Sequence, residues 1–144
     1  DVYYDLETGN LWEQVAGEWV QIGNIAPGGG TEVPSLIYHT DIPTSGTQAV
    51  NIKNVAGTLT GWNAFNDTEF PFYVKVFDKA TAPTLGTDIP RQTIPVQAGE
   101  PAVAPPGAGL TYVNGISIAV TLNPEDLDAT GVAANAGIVD IFYQ

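Results

Sequence analysis

The sequence predicts an all-β protein, an antiparallel β-sandwich of jelly-roll type preceded by a small three-stranded β-meander. Three observations carry that reading. Apolar residues recur with a period of two, as in Phe72, Val74 and Val76 or in Ile116, Ile118, Val120 and Leu122. Gly and Pro, 16 and 11 of the 144 residues, punctuate those runs with turns. No stretch keeps the 3.6-residue rhythm of a helix long enough to compete. With 44% hydrophobic and 14% charged residues, the chain holds enough apolar material for a core and is unlike a disordered polyanion.

Residues 1–26 contain three short β-like runs, Val2 to Tyr4, Leu11 to Val15 and Glu18 to Ile22. Thr8-Gly9-Asn10 and Ala16-Gly17 supply the turns between them. Pairing Val15 with Glu18 puts Trp12 and Trp19 on one face and Leu11, Val15, Val20 and Ile22 on the other. A meander this small is marginal alone, so these six residues form the expected anchoring or intersubunit surface. Pro27-Gly28-Gly29-Gly30 is read as a linker, because three glycines abolish any preferred backbone geometry. The larger domain then spans residues 31–144.

In that domain strands are expected at Leu36 to His39, Val50 to Lys53, Val55 to Thr60, Phe72 to Val76, Gln92 to Val96, Leu110 to Val113, Ile116 to Leu122 and Ile138 to Tyr143. Lys75 is expected on the face opposite Val74 and Val76. Pro43-Thr44-Ser45-Gly46, Asn66-Asp67-Thr68, Pro105-Pro106-Gly107 and Asn114-Gly115 read as turns, the last as a hairpin. Pro95 marks an edge strand or bulge. Asn123-Pro124-Glu125-Asp126-Leu127 reads as one helical turn with Asn123 as its cap.

The formal charge of −12 sets 16 acidic residues against Lys53, Lys75, Lys79 and Arg91. Nucleic acid and anionic membrane surfaces both require clustered cations, so neither is an expected partner. No run approaches the roughly 20 apolar residues of a membrane-spanning helix. Cysteine and methionine are absent, which removes disulfides, thiolate metal sites and thiol nucleophiles, and suggests a chain that begins inside a longer precursor.

Candidate chemistry is sparse, and neither a catalytic residue nor a cofactor is expected. His39, the lone histidine, lies in a strand near Tyr38 and Asp41 without a nucleophile at triad spacing. One histidine does not make a zinc site within a chain, although three copies on a threefold axis would supply three ligands. Asp67 and Glu69 beside Trp62, Phe65 and Phe70 imitate a glycosidase pair, yet Asn66-Asp67-Thr68 already reads as a turn. Glu125, Asp126 and Asp128 with Asn123 form the densest acidic cluster but lack the EF-hand pattern. Trp62, Tyr73, Tyr112 and Tyr143 are candidates for a sugar-stacking platform, and core filling explains them equally well.

Two stretches carry a resemblance. Asp1 to Ile25, DVYYDLETGNLWEQVAGEWVQIGNI, resembles a short module of tailed-bacteriophage fibre proteins, in which Y-x-D-x-x-T-G-x-L-W/Y precedes G-x-W and G-x-I. Tyr3, Asp5, Thr8, Gly9, Leu11 and Trp12 fit the first element, Gly17 and Trp19 the second, Gly23 and Ile25 the third. Phe72 to Gly99, with GISIAVTLNPEDLDATGVAANAG and the closing IVDIFYQ, is similar to small β-sandwich domains of phage and prophage structural proteins. The resemblance implies a virion component, usually a homotrimer assembled in the host cytoplasm. Such proteins stand on the particle as a head fibre, decoration protein or tail fibre, in contact with other virion proteins. Trp62, Asn63, Asn66 and Asp67 are the expected display surface. The rival expectation is a carbohydrate-binding module or a receptor-binding tail-fibre domain that recognises host glycans, and a third is a glycan-cleaving tail spike.

Overall fold

The computed structural model describes residues 2–4, 10–24 and 35–144, and the chain divides into two compact units, residues 1–33 and 34–144. Every regular element among the described residues is a strand, and every pairing is antiparallel.

In the first unit β1 (Val2–Tyr4), β2 (Asn10–Val15) and β3 (Glu18–Asn24) form one sheet in that order. The β2–β3 hairpin closes on Val15 opposite Glu18, with Ala16 at φ 53° and Gly17 at φ 89°. Two consecutive left-handed residues make the tight turn whose twist matches that of the flanking strands. Trp12 faces Gln21 and Gln14 faces Trp19, so the tryptophans stand diagonally on one face, while Val15 and Val20 belong to the other. The register slips between Leu11 and Trp12, which pair with Gly23 and Gln21, leaving Ile22 as the inserted residue of a bulge. The side chains of Leu11 and Ile22, the turn at Thr8-Gly9 and the expected linker at residues 27–30 lie outside the described residues.

The second unit contains β4 (Leu36–Thr40), β5 (Val50–Lys53), β6 (Gly57–Asn66), β7 (Phe72–Phe77), β8 (Gln92–Val96), β9 (Pro101–Ala104), β10 (Leu110–Tyr112), β11 (Ile116–Thr121) and β12 (Gly137–Tyr143). One sheet runs β10-β6-β12-β4, with β9 also paired to β6; the other runs β5-β11-β7-β8. A single apolar cluster draws on both, with Leu59, Ala64, Val139 and Ile141 from the first and Val74, Val76, Ile94, Ile118 and Val120 from the second. Period-two alternation is what allows this, since it turns one apolar row of each sheet toward shared cover.

Several expectations need correction. β6 extends ten residues to Asn66, six beyond the expected strand end at Thr60 and into the expected turn at Asn66-Asp67-Thr68. Gly61, Asn63 and Asn66 are poor strand formers, but β6 is flanked by β12 on one side and β9 and β10 on the other, and pairing overrides local preference. Asn114-Gly115 is not a hairpin, because β10 and β11 belong to different sheets. It is a crossing between them, fixed by the Asp78 carboxylate, which accepts hydrogen bonds from the backbone N–H groups of Val113, Asn114 and Gly115. Gly115 is required there by close approach: a Cβ would stand 2.5 Å from the Lys53 carbonyl oxygen and 2.7 Å from that of Lys79. Residues 123–127 form no helical turn; Asn123 instead gives its backbone and side-chain N–H groups to Asp128, at 3.1 and 3.2 Å.

Lys75 lies on the face opposite Val74 and Val76, as expected, but that face is covered and the side chain is fully buried. It stands opposite Ala119 on the face of β7 and β11 that also carries Ser117 and Thr121, and β11 is buried on both faces. The loops after β7 and β11 fold over that face: the single hydroxyl proton of Ser117 is shared between the Lys79 and Thr81 carbonyls, and Thr121 Oγ1 donates to that of Asn123. Small polar side chains in β11 are therefore the floor of a second packed layer.

Candidate functional site

The residues of β4, β12 and β6 that point away from the core build a polar row across the sheet. Asp140 is opposite His39 on one side and Asn63 on the other, and Asn63 is opposite Val103 of β9. His39 Nδ1 bonds Asp140 Oδ1, and Asn63 Nδ2 donates to Asp140 Oδ2 at 3.4 Å. The carboxylate is thus held between an imidazole and an amide, with its side chain 18% exposed and that of the histidine 60% exposed. Apolar rows flank it. Ile37, Phe142 and Gly61 align on one side and Ile138, Phe65 and Pro101 on the other. Ile37, Phe65 and Val103 are exposed.

Among the described residues no hydroxyl is hydrogen-bonded to the His39 ring, so the arrangement supplies a hydrogen-bonding band within an apolar surface. The neighbours expected for His39 are elsewhere. Tyr38 packs on the core side, where burial raises its phenol pKa against a lowering bond to Thr40, and Asp41 is exposed beyond the strand. Asp140, the actual partner, is 101 positions away.

The expected display set is divided by the sheet. Trp62 packs against the core. Asn66 is fully buried: its amide donates to the Phe70 and Val96 carbonyls at 2.7 and 3.0 Å, and its oxygen accepts from the backbone and hydroxyl of Thr68. Asn63 lies on the outward face, and Asp67 is exposed with its N–H donated to the Ala136 carbonyl. The aromatic platform is not assembled either, since Tyr112 is fully buried and Trp62 and Tyr143 pack on the core. Trp62 and Phe65 occupy opposite faces of β6, which also dissolves the aromatic frame around Asp67 and Glu69.

Among the described residues a single buried cation lies beneath the acidic loop. Lys75 Nζ donates to the Glu125 carbonyl; burial lowers its pKa, opposed by Asp128, Asp126 and Glu125. Partial burial raises the Asp128 carboxyl, but hydrogen bonds from Thr130 and Asn123 outweigh it and the net shift is downward. Among the described residues no three His, Cys, Asp or Glu side chains converge on a metal position.

At one end of the core, two shallow apolar hollows of about 190 and 240 Å³ share Phe70 and Leu122. Phe72, Val132 and Ala136 line one, Tyr73, Asn123 and Pro124 the other. Comparison with family models, with curated proteins and with solved structures returned no significant match. Asp140 escaped the sequence reading, which named Phe70 and Leu122 but did not bring them together in a hollow. Asp140 had a visible signal, a lone acid breaking the apolar alternation of IVDIFYQ, whereas the hollows arise from loops that no local pattern places together.

Proposed function

We propose that this chain is a structural module of a bacteriophage virion surface, a jelly-roll-like β-sandwich behind a β-meander, which works by association with its own copies and neighbouring virion proteins. One observation supports the reading above the rest. The three-stranded sheet of residues 2–24 keeps Val15, Trp19 and Val20 about half exposed (51%, 49% and 45%), although large apolar side chains on both faces of so thin a sheet call for cover. Copies of the same sheet are the cover that the fibre-like residues of this segment imply, with Trp12, Val15, Trp19 and Val20 in the contact. Display is then multivalent, weak contacts at Asn63 and Asp67 adding up across copies.

Light scattering on the intact chain tests this. The expected result is a trimer that Trp19→Ala with Val20→Ser reduces toward smaller species while the larger unit stays folded. A wild-type monomer at all attainable concentrations would remove the reading. A glycan-binding domain is the second reading, and the exposed Phe70 ring beside the Tyr73–Asn123 hollow favours it. Binding on a glycan array, lost in Phe70→Ala, is its test.

A further inference from the structure

Asn114-Gly115 is the one Asn-Gly pair of the sequence, and chemically it is the least durable dipeptide in it. Asparagine is thermolabile, and a following glycine leaves its own nitrogen unshielded by a side chain. In the reaction the Gly115 nitrogen gives up its proton and bonds to Asn114 Cγ, the Cγ–Nδ2 bond breaks, and ammonia departs with that proton. Ring closure within one chain makes this step efficient once the geometry is right. Water then opens the five-membered succinimide at either carbonyl, leaving aspartate or isoaspartate, the latter with an additional methylene in the main chain. Asn114 is exposed, so water reaches it.

The fold opposes the first step in three ways. The N–H groups of Asn114 and Gly115 both go to Asp78 Oδ1, at 2.7 and 3.3 Å. Ring closure requires the Gly115 nitrogen to swing about the Asn114 Cα–C bond to the side of Cβ, whereas convergence of two successive N–H groups on one oxygen holds it on the side of the Asn114 nitrogen. The swing also lacks room, because Gly115 is buried and a Cβ on it would stand 2.5 Å from the Lys53 carbonyl oxygen and 2.9 Å from Ala80 Cα. Lastly, the acceptor is negative. Partial burial raises the Asp78 carboxyl, yet the bonds from Asn114, Val113 and Gly115 bring it below its usual value, and a carboxylate at the nitrogen disfavours removal of the proton. We propose that Asn114 is a latent deamidation site, closed by the Asp78 clamp in the folded chain and opened when the β10–β11 crossing comes apart. The change is one-way. Either product sets another carboxylate beside Asp78 in a chain already at −12, and the longer main chain of isoaspartate no longer brings the three N–H groups to one carboxylate. A chain that has opened here therefore keeps a permanent mark at the entry to β11, a strand buried along its whole length between β5 and β7.

The test is the rate of deamidation of the full chain at neutral pH, folded and in concentrated urea. Mass spectrometry of the peptide holding Asn114 follows the replacement of –NH2 by –OH, and chromatography resolves isoaspartate from aspartate. The folded wild type should react at least about tenfold more slowly than the unfolded chain. Under folding conditions Asp78→Ala, which removes the acceptor, should recover roughly that tenfold, with Asp78→Asn, which keeps one oxygen, in between. Wild type in enough urea to match the stability of Asp78→Ala separates local from global opening, and it should stay well below that variant. A folded wild type that reacts as fast as the unfolded chain would overturn the proposal, as would an Asp78→Ala rate no higher than that of the stability-matched wild type. A rate for either variant below that of the folded wild type would overturn it as well, because the carboxylate would then be the base that takes the Gly115 proton.

Discussion

Single residues in this chain are most informative where a polar group has been taken out of water. Tyr112 is fully buried and, among the described residues, its hydroxyl is the buried side-chain polar atom without a hydrogen-bond partner, while Arg91 lies over its ring at 4.9 Å. Burial pushes its phenol up to about 12, with Arg91 opposing and Asp78 reinforcing. A folded-state pKa raised above that of the unfolded chain gives stability that is complete below about pH 10 and lost as pH climbs toward 12. Tyr38 adds to that loss, and Lys75, whose pKa is lowered by burial, acts in the opposite direction, its contribution growing as pH rises toward its unfolded value. Tyr112→Phe removes the unsatisfied hydroxyl and leaves the ring in place. It should stabilise the protein by about 1 kcal/mol at pH 7, and urea titrations at pH 8 and pH 11 should differ less for the variant than for the wild type. A variant that loses stability at pH 7 would mean that the hydroxyl has a partner.

At the scale of elements, the crossing from β10 to β11 shows how a side chain replaces a hairpin. Three N–H groups in succession converge on Asp78, and although partial burial raises its carboxyl, the bonds from Asn114, Val113 and Gly115 bring its pKa below the usual value. Asp78→Ala leaves those donors without their acceptor and should cost about 1–3 kcal/mol, whereas Asp78→Asn, which keeps one oxygen, should cost less. Thermal unfolding of the pair checks the order. The same crossing marks the limit of what the sequence displays. Ala16-Gly17 and Asn114-Gly115 look alike as turns, and only the first closes a hairpin, because a dipeptide fixes local curvature and not the sheet that the next strand joins. Strand positions with regular alternation, such as β7, β11 and β12, were legible. The second half of β6 was hidden by Gly61 and Asn63, the burial of Lys75 by its solvent-like position, and the His39–Asp140–Asn63 row by chain separations that only sheet order resolves.

The whole molecule is governed by its charge imbalance. Sixteen acids face four cations, and three of those cations are already engaged, Lys79 with Asp88, Lys75 with the Glu125 carbonyl and Arg91 with the Thr111 carbonyl. Most carboxylates therefore meet other carboxylates at long range, and salt should stabilise the fold by screening repulsion, since the Debye length falls from about 30 Å at 0.01 M to about 10 Å at 0.1 M. Lower pH relieves the same repulsion until the favourable carboxylates are lost. Asp78, Asp88 and Asp128 have folded-state pKa values below their unfolded ones, so their stabilisation is present above the unfolded value and disappears as pH falls through the folded one. The two effects place the maximum on the mildly acidic side, at about pH 4.5 to 6. Melting temperatures at pH 7 should rise as sodium chloride increases from 10 to about 300 mM, and that gain should shrink at pH 5, where fewer charges repel. A melting temperature that falls with salt would show that local ion pairs, and not the net field, dominate the stability of this acidic β-protein.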